Sequence, residues 1–586
     1  MDPSFSAESA WKIFEELTVN AHQTQQQVLQ EILTQNLHTE YLSQFLSLDS
    51  DREDFKTKVP VVEYEDIKPY IQRIANGEPS DILLAETVTA LTRSSGTSAG
   101  QPKLIPFTDR ELDRRAFGGC LRSSVVNKFV DGFEQGERMK LHLQFNRPEI
   151  MTPSGFRTRS ILTSIFMSKY FETHESSLYT SPIATILCLD SKQSMYCQWL
   201  CGLVHRNEVV SVGSIFGSIL VRGIKFLEDY WKELCSNIRT GQLSDWISDT
   251  GCRNALSMVL EKPNPELADT IEDICNAKSW EGIIKKLWPG TKYIDATVTG
   301  SMVQYVPMLE FYCGDLPLVS KCYASSECDL GINIKPLSNP CDTSYTFIPN
   351  MAYFEFLPMH EDSEEVRNKK EESELVDLVN VKPGRFYEPV VTTFTGLYRC
   401  KMGDILKATG YHNNAPQFQF VRRKGVFLSV DMEKTTEDEL GEAVKQANLF
   451  IGRFRLHVVD YTGAVDISSI PGHYVLFWEL KMEGSSHVPE LNPGTIEQCC
   501  GIVEESLSLV YRVSRKGNGI GPLEIRVVKN GTFDELMDLF VSKGSSVSQY
   551  KTPRCIKLEE ALKLLNYRVV GRYFSQQFPA STPLKW

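Results

Sequence analysis

Residues 93–107 read RSSGTSAGQPKLIPF. Four small hydroxyl side chains (Ser94, Ser95, Thr97, Ser98), two glycines (Gly96, Gly100) and Lys103 are gathered there. Glycine lets the backbone approach an anion closely and adopt positive φ. Hydroxyls and exposed N–H groups supply donors, and lysine adds a mobile positive charge. Pro106-Phe107-Thr108-Asp109 then opens a helix running from Arg110 to Leu121, and phosphate is favoured where a helix begins. The stretch reads as a phosphate-binding loop; the competing reading is a solvated Ser/Gly linker. Leu104-Ile105-Pro106-Phe107, apolar and strand-like, follows the lysine at once and speaks against the linker.

At 586 residues the chain exceeds what one hydrophobic core supports, so two or more domains are expected. Acidic residues (75) outnumber basic ones (62), and no segment gathers Lys and Arg into a track along a phosphate backbone. Nucleic acid is therefore not an expected partner. No apolar run reaches the roughly 18–20 residues of a membrane span, so a membrane is not expected either. Met-Asp-Pro-Ser-Phe-Ser-Ala-Glu at the start has neither the basic region nor the apolar core of a targeting segment. Fifteen cysteines, scattered and odd in number, fit reduced thiols. The expected location is the cytoplasm.

Residues 8–48 carry helical periodicity, with Trp11, Phe14 and Leu17, then Val28, Leu29, Ile32, Leu33 and Leu37. Val59–Val62 reads as extended, followed by a helix from Tyr64. Between residues 140 and 340 short strands alternate with helices: strands at Met139–Phe145, Ile183–Leu189, 292–298 and 317–320, a long helix at Gly217–Ile238. Met351–Leu357 is a further strand. Several of these strands are apolar enough to be parallel, which argues for an α/β architecture. EDSEEVRNKKEESE (residues 361–374) is almost wholly charged and reads as a solvated hairpin insertion between two strands. VFLSVDMEKTTEDEL, from Val426, marks a second, smaller α+β domain. Its expected strands are His457–Val465, Gly472–Lys481 and Leu523–Val528, with a helix at Thr495–Val513.

Two more turns have the look of nucleotide chemistry. Tyr323-Ala324-Ser325-Ser326-Glu327 places hydroxyls and a carboxylate on one turn; a carboxylate beside phosphates repels them unless it holds Mg2+. Leu397-Tyr398-Arg399-Cys400-Lys401-Met402-Gly403-Asp404 ends in an Asp able to accept both hydroxyls of a ribose. Each is weak alone. In this order and spacing they resemble the three nucleotide motifs of the adenylate-forming superfamily. More narrowly, the chain resembles the plant acyl-acid–amido synthetases, the Gretchen Hagen auxin-responsive family. The resemblance runs over essentially the whole chain, through VPVVEYEDIKPYI (59–71), VTGSMVQYVPML (298–309), YASSECDLGIN (323–333), NNAPQFQFVRR (413–423) and SQYKTPR (548–554). MTPSGF (151–156), LCGLVHRNEVVSVGSIF (200–216) and GPLEIRVVKNGTFD (521–534) are most similar to the branch acting on benzoates and chorismate-pathway acids, less to the jasmonate and indole-acetate branches. Ala324 departs from the glycine frequent in the family, a change that removes no ligand.

The resemblance implies an α/β fold with a large N-terminal adenylate-forming domain of helix-flanked sheets plus a β-barrel (residues 1–428). It implies a hinge at 429–434 and a smaller mobile α+β domain (435–586). It implies a carbon–nitrogen ligase of plant hormone metabolism and defence. ATP and Mg2+ activate a small benzoate- or chorismate-type acid, and an amino acid, glutamate by analogy, takes the acyl group. By motif match Ser94, Ser95, Thr97 and Ser98 hold phosphate, with Lys103 at the pyrophosphate end. Ser326 belongs to the nucleotide-binding set, Glu327 lies at the metal, Asp404 at the ribose, and Thr299, Tyr323 and Phe420 around the nucleoside. Lys434 falls at the hinge, and Lys551 matches the lysine that reaches the α-phosphate; without the resemblance it reads as a surface lysine near Pro553. Arg122 is the candidate partner of the acid's carboxylate, or else a solvent-facing ion pair. Ile215 and Phe216 are pocket wall or core packing. Cys197, Cys201 and His205, at i, i+4 and i+8, read as a packed helix face and not as a metal site. Two other activities share parts of this pattern: an acyl–CoA ligase and a catalytically silent acid-binding protein.

Overall fold

A computed structural model of the chain describes residues 7–93, 103–130, 139–146, 149–169, 171–359, 374–424, 427–428, 430, 435–466, 468–469, 471–482, 492–516 and 519–579. The described residues form two compact units, one of residues 7–93, 103–421 and 546–549, the other of 422–545 and 550–579. No described helix is long and apolar enough to cross a membrane.

In the first unit, four strands make a parallel sheet in the order Met139–Leu143, Val209–Phe216, Tyr293–Thr297, Leu318–Val319. Parallel strands need crossover connections, and the helices Ser191–Val204 and Gly217–Thr240 supply them. A nine-stranded sheet, antiparallel in its described ladders, stands where a barrel is expected; eight strands run as one path from Val376–Asp377 to Cys322–Ala324, and Cys400–Lys401 pairs alongside Phe386–Thr392. Phe347, Phe354, Phe356 and Phe418 pack their rings over its core. In the third sheet Ala90–Arg93 and Leu104–Phe107 pair antiparallel, Arg93 opposite Leu104, so they are the arms on either side of the Ser/Gly stretch. Helix Asp109–Phe129 follows directly, its first turn capped by the Thr108 hydroxyl accepting from the Glu111 N–H.

The second unit is a mixed sheet, Leu456–Asp466, His473–Met482, Glu524–Val528 and Val569–Phe574, with Glu437–Gly452 and Pro493–Ser506 packed into its core.

Two expected elements differ. Ile183–Leu189 is not a strand: Ile183–Leu187 is helical, because Pro182 at its head has a preset φ and its carbonyl accepts from Thr185. So short an apolar run carries no periodicity to tell the two apart. The expected helix Thr495–Val513 is two helices, Pro493–Ser506 and Leu509–Lys516. The break falls where the Glu439 carboxylate takes the Ser508 N–H, a tertiary bond that outbids the helical one. The charged segment 361–374 lies outside the described residues apart from Glu374, but the strands flanking it, Tyr353–Met359 and Val376–Asp377, pair as hairpin arms.

Candidate functional site

The nucleoside-type residues converge. Thr299 heads the 3-10 turn Gly300–Tyr305, and its hydroxyl lies 3.0 Å from the Tyr345 hydroxyl. The Tyr323 ring is 6.0 Å from Tyr345 and 6.1 Å from Phe420. Tyr323 donates its hydroxyl to Asp404 Oδ2 at 2.7 Å, which orients the carboxylate from behind. Gly300 has φ of +61°, and a Cβ there would stand 2.9 Å from the Phe420 ring. Glycine is required both by the backbone and by the ring's approach. Thr299, Tyr323, Asp404 and Phe420 are thus brought together, with Tyr345 as a member that sequence reading missed; it lies in an unremarkable strand.

The turn bearing Ser326 and Glu327 joins the antiparallel strands Cys322–Ala324 and Asp329–Ile332. Ser325 and Cys328 close it through N–H to carbonyl (2.9 Å) and hydroxyl bonds. A buried guanidinium clamps it from inside. Arg115 gives Nη1 to the Ser325 carbonyl (2.9 Å) and to Asp329 Oδ1 (3.1 Å). It gives Nη2 to the Ser326 carbonyl (3.0 Å) and Nε to Glu111 (2.8 Å). Arg115 too was missed; the only signal was Glu111 four residues earlier on the same helix. Ala324 is exposed. Lys103 places its ammonium 5.0 Å from the centre of the Tyr64 ring. The Tyr64 hydroxyl both accepts from the Leu104 N–H (2.7 Å) and donates to its carbonyl (2.9 Å), pinning the strand at the lysine's base. The charges of Glu327 and Lys103 are both felt at the Cys400 thiol, which burial pushes up to about 12. Ser94, Ser95, Thr97, Ser98 and Lys434 lie outside the described residues.

Arg122 is neither at the surface nor unengaged. It gives Nη1 to Asp329 Oδ2 at 3.0 Å and keeps a quarter of its side chain accessible. Burial works against the Asp329 charge, but Arg122 and Arg115 outweigh it and hold the carboxyl below its ordinary range. Gly118 allows this approach, since a Cβ there would fall 2.5 Å from Asp329 Oδ2. Ile215 and Phe216, half-buried, end the parallel strand Val209–Phe216, and ligands of open α/β sheets bind beyond the carboxyl ends of such strands.

Lys551 belongs to the second unit, in a segment laced to the strand Leu456–Asp466. Thr552 donates to Asp460 (2.7 Å), Arg554 donates to Asp460 (2.6 Å), and Gly463 gives its N–H to the Arg554 carbonyl (2.7 Å) while its own carbonyl accepts from Ile556 (2.8 Å). Glu437, whose carboxyl burial raises, feels Arg554, Lys551 and Arg423 in turn. Cys197 and Cys201 are fully buried on helix Ser191–Val204, and His205 caps it. Among the described residues the groups with metal-ligand spacing are others, Cys188–Asp249–Cys252 and Asp466–His473–Glu524. In the second, Arg526 donates to both carboxylates, so a guanidinium already supplies the positive charge.

Three family models match the chain: the GH3 family N-terminal domain over residues 10–318, the central domain over 345–423 and the C-terminal domain over 438–560. Indole-3-acetic acid-amido synthetase GH3.17 of Arabidopsis thaliana is 53% identical over 100% of this chain and 99% of its own. 4-substituted benzoates-glutamate ligase GH3.12, also of Arabidopsis thaliana, is 51% identical over 98% and 100%. These two identities do not rank one acid above the other. A solved structure, GH3.15 acyl acid amido synthetase, superimposes with a TM-score of 0.90 at 49% identity, covering 99% of this chain and 100% of that one. The chain belongs to the GH3 family and is an acid–amino-acid ligase, forming a carbon–nitrogen bond between a carboxylic acid and an amino acid.

Proposed function

We propose that the chain activates a benzoate- or chorismate-type acid, or a related plant hormone acid, as its adenylate with ATP and Mg2+, then passes the acyl group to glutamate. The observation that carries this is the convergence of Thr299, Tyr323, Tyr345, Asp404 and Phe420: aromatic faces beside one carboxylate oriented by a phenol. Such a set suits a base stacked on rings with its ribose hydroxyls donating to the carboxylate. A free carboxylate is a poor acyl donor because its leaving group is oxide. Its oxygen attacks the α-phosphorus, pyrophosphate departs, and the amine then attacks the carbonyl and expels AMP. The protein's part is to position the reactants and hold charge.

In this reading Ser94, Ser95, Thr97 and Ser98 hold phosphate oxygens, and Lys103 neutralises the departing pyrophosphate. Glu327 fits a magnesium site beside Ser326, which faces the nucleotide: the half-buried carboxylate stands on a backbone fixed by Arg115. When bound, the metal offsets charge that Glu327 would otherwise add against the phosphates. Arg122 pairs with the acid's carboxylate beside the wall made by Ile215 and Phe216. Lys434, in a hinge at 429–434, and Lys551, in a mobile domain of residues 435–586, supply charge during adenylation and withdraw it afterwards. The fifteen free cysteines suit a reducing cytoplasm.

Exchange of labelled pyrophosphate into ATP, with the full chain and no amino acid, tests the first half-reaction. Exchange is expected with benzoate-type acids, and amide appears only when an amino acid is added. Thioester formed with coenzyme A and no amino acid would make the chain an acyl–CoA ligase. Silence across a broad acid panel would leave an acid-binding protein. Asp404→Ala should raise the KM for ATP about tenfold or more, the loss of one charged hydrogen-bonding partner. Lys551→Ala should slow exchange while ATP binding persists, and a change confined to the KM for ATP would overturn that role.

A further inference from the structure

A parallel sheet covered on both faces is expected to be apolar throughout. Here one face of the first strand is not. Leu141 and Leu143 are fully buried on one side of Met139–Leu143, while Lys140 and His142 alternate with them on the other. The ladder register extends the polar face across the sheet: Lys140 beside Ser211 beside Tyr293, then His142 beside Gly213 beside Asp295. The middle of the second row is a glycine and presents no side chain. Tyr179 pairs alongside Lys140, whose carbonyl accepts from Thr180 at 3.1 Å. Arg122 borders the same cluster, and its charge is felt at Lys140.

This is a crevice and not a sealed core. His142 keeps 13% of its side chain accessible, Lys321 15%, Asp295 18% and Arg122 25%. The cations are unequally satisfied. Lys321 is paired with Asp295 at 2.6 Å and Arg122 with Asp329 at 3.0 Å. No carboxylate of the described residues lies within 4.0 Å of the Lys140 ammonium, which stands 5.7 Å from the centre of the Tyr179 ring. Burial, then Lys321, push that ammonium down to about 8 against the more distant attraction of Glu175 and Asp295. An anion brought alongside would restore its charge. Arg122, the proposed partner of the acid's carboxylate, is near enough for its charge to be felt at Lys140, which sets the crevice beside the proposed acid pocket.

We propose that the crevice receives a second anionic group of the acyl acid, remote from the reacting carboxylate, and that Lys140 selects for it. This rests on the adenylation reading above. The test uses the full-length protein in acid-dependent pyrophosphate exchange, comparing benzoate-type monoacids with counterparts bearing a second carboxylate at varied ring positions. Lys140→Met should lower the ratio of kcat/KM, diacid over monoacid, by about 30-fold for the diacid that fits, and Lys140→Arg should recover most of it. A structural role would lower both acids together, and an unchanged ratio in an active enzyme overturns this proposal alone. A Lys140→Met effect confined to the KM for the amino acid in the complete reaction also overturns it. Absence of exchange with every acid overturns the adenylation reading and this proposal together. If Lys140→Met fails to fold, Lys140→Gln carries the decision: loss of diacid preference there, with Lys140→Arg keeping it, supports the proposal, whereas preference surviving in Lys140→Gln or lost in a folded Lys140→Arg overturns it.

Discussion

Asp329 and Asp295 occupy comparable positions, each a carboxylate on a strand of the first unit flanked by two basic side chains, yet they are built for different tasks. Asp329 is 7% accessible and takes guanidinium nitrogens from Arg115 (3.1 Å) and Arg122 (3.0 Å). Asp295 is 18% accessible and takes Lys321 (2.6 Å) with His142 at 3.5 Å. A guanidinium stays charged throughout the physiological range, and its planar fork reaches several acceptors at once. Arg115 uses that fork to fix the Ser325–Glu327 turn. Lysine and histidine can surrender charge when buried: His142 and the neighbouring Lys140 are pushed down by burial, whereas Asp295 outweighs burial at Lys321 and holds its ammonium above the ordinary range. The arginine node fastens geometry; the lysine–histidine node responds to what enters it.

Breaking the first node should have the larger effect. Arg115→Met leaves Glu111 and Asp329 buried without this partner and releases two turn carbonyls. A loss of about 3–5 kcal/mol is expected, read as a shift in denaturant midpoint. Arg115→Lys should recover little, since a point charge cannot span four acceptors. Full recovery by lysine would show that charge alone, and not the fork, holds the turn. Asp295→Asn should cost less, about 1–3 kcal/mol, because Lys321 keeps some water and an amide oxygen remains to accept its proton. A cost equal to that of Arg115→Met would erase the distinction between the nodes.

How much of this the sequence disclosed follows the same division. Turns with unusual chemistry were legible at Ser326-Glu327 and Gly403-Asp404; the Ser/Gly stretch itself lies outside the described residues, between strands that pair as its arms. Parallel strands were legible from apolar runs, and helix 109–129 from its threonine cap. Arg115, Tyr64 and Tyr345 were not, because their work is done across gaps of 210, 40 and 46 residues, and nothing local marks a side chain for a distant partner. Arg122 was singled out for a ligand, but its bond to Asp329 depends on Gly118 opening the helix face, which spacing does not report. The polar face of Met139–Leu143 was in plain view as alternating Lys140 and His142 and was read simply as a strand. Its meaning needed the register that sets Asp295 two strands away.

The pH dependence of stability sharpens the second node and is the smallest effect expected. Burial pushes the His142 imidazole down to about 4, against the attraction of Asp295, whereas an unfolded histidine titrates near 6.5. Between those values the unfolded chain binds a proton that the folded chain does not. Stability therefore falls as pH is lowered from about 6.5 toward 4, by at most about 1.4 kcal/mol per pH unit from this residue. Asp438, in the other unit, works in the opposite sense. Neighbouring chain and the adjacent Glu437 raise its carboxyl to about 6 although the residue is exposed, so the folded chain holds a proton the unfolded one has shed and stability falls, by an amount water screens, as pH rises toward 6. The two contributions partly cancel in the whole protein, so the measurement is a difference. Urea midpoints for the parent and His142→Asn are followed from pH 7 to pH 5. The parent should lose stability relative to the variant by about 1 kcal/mol over the lower half of that range. Parallel curves would mean that His142 accepts its proton in the folded state as readily as in the unfolded one, and the crevice would then hold a charged imidazole between its two lysines.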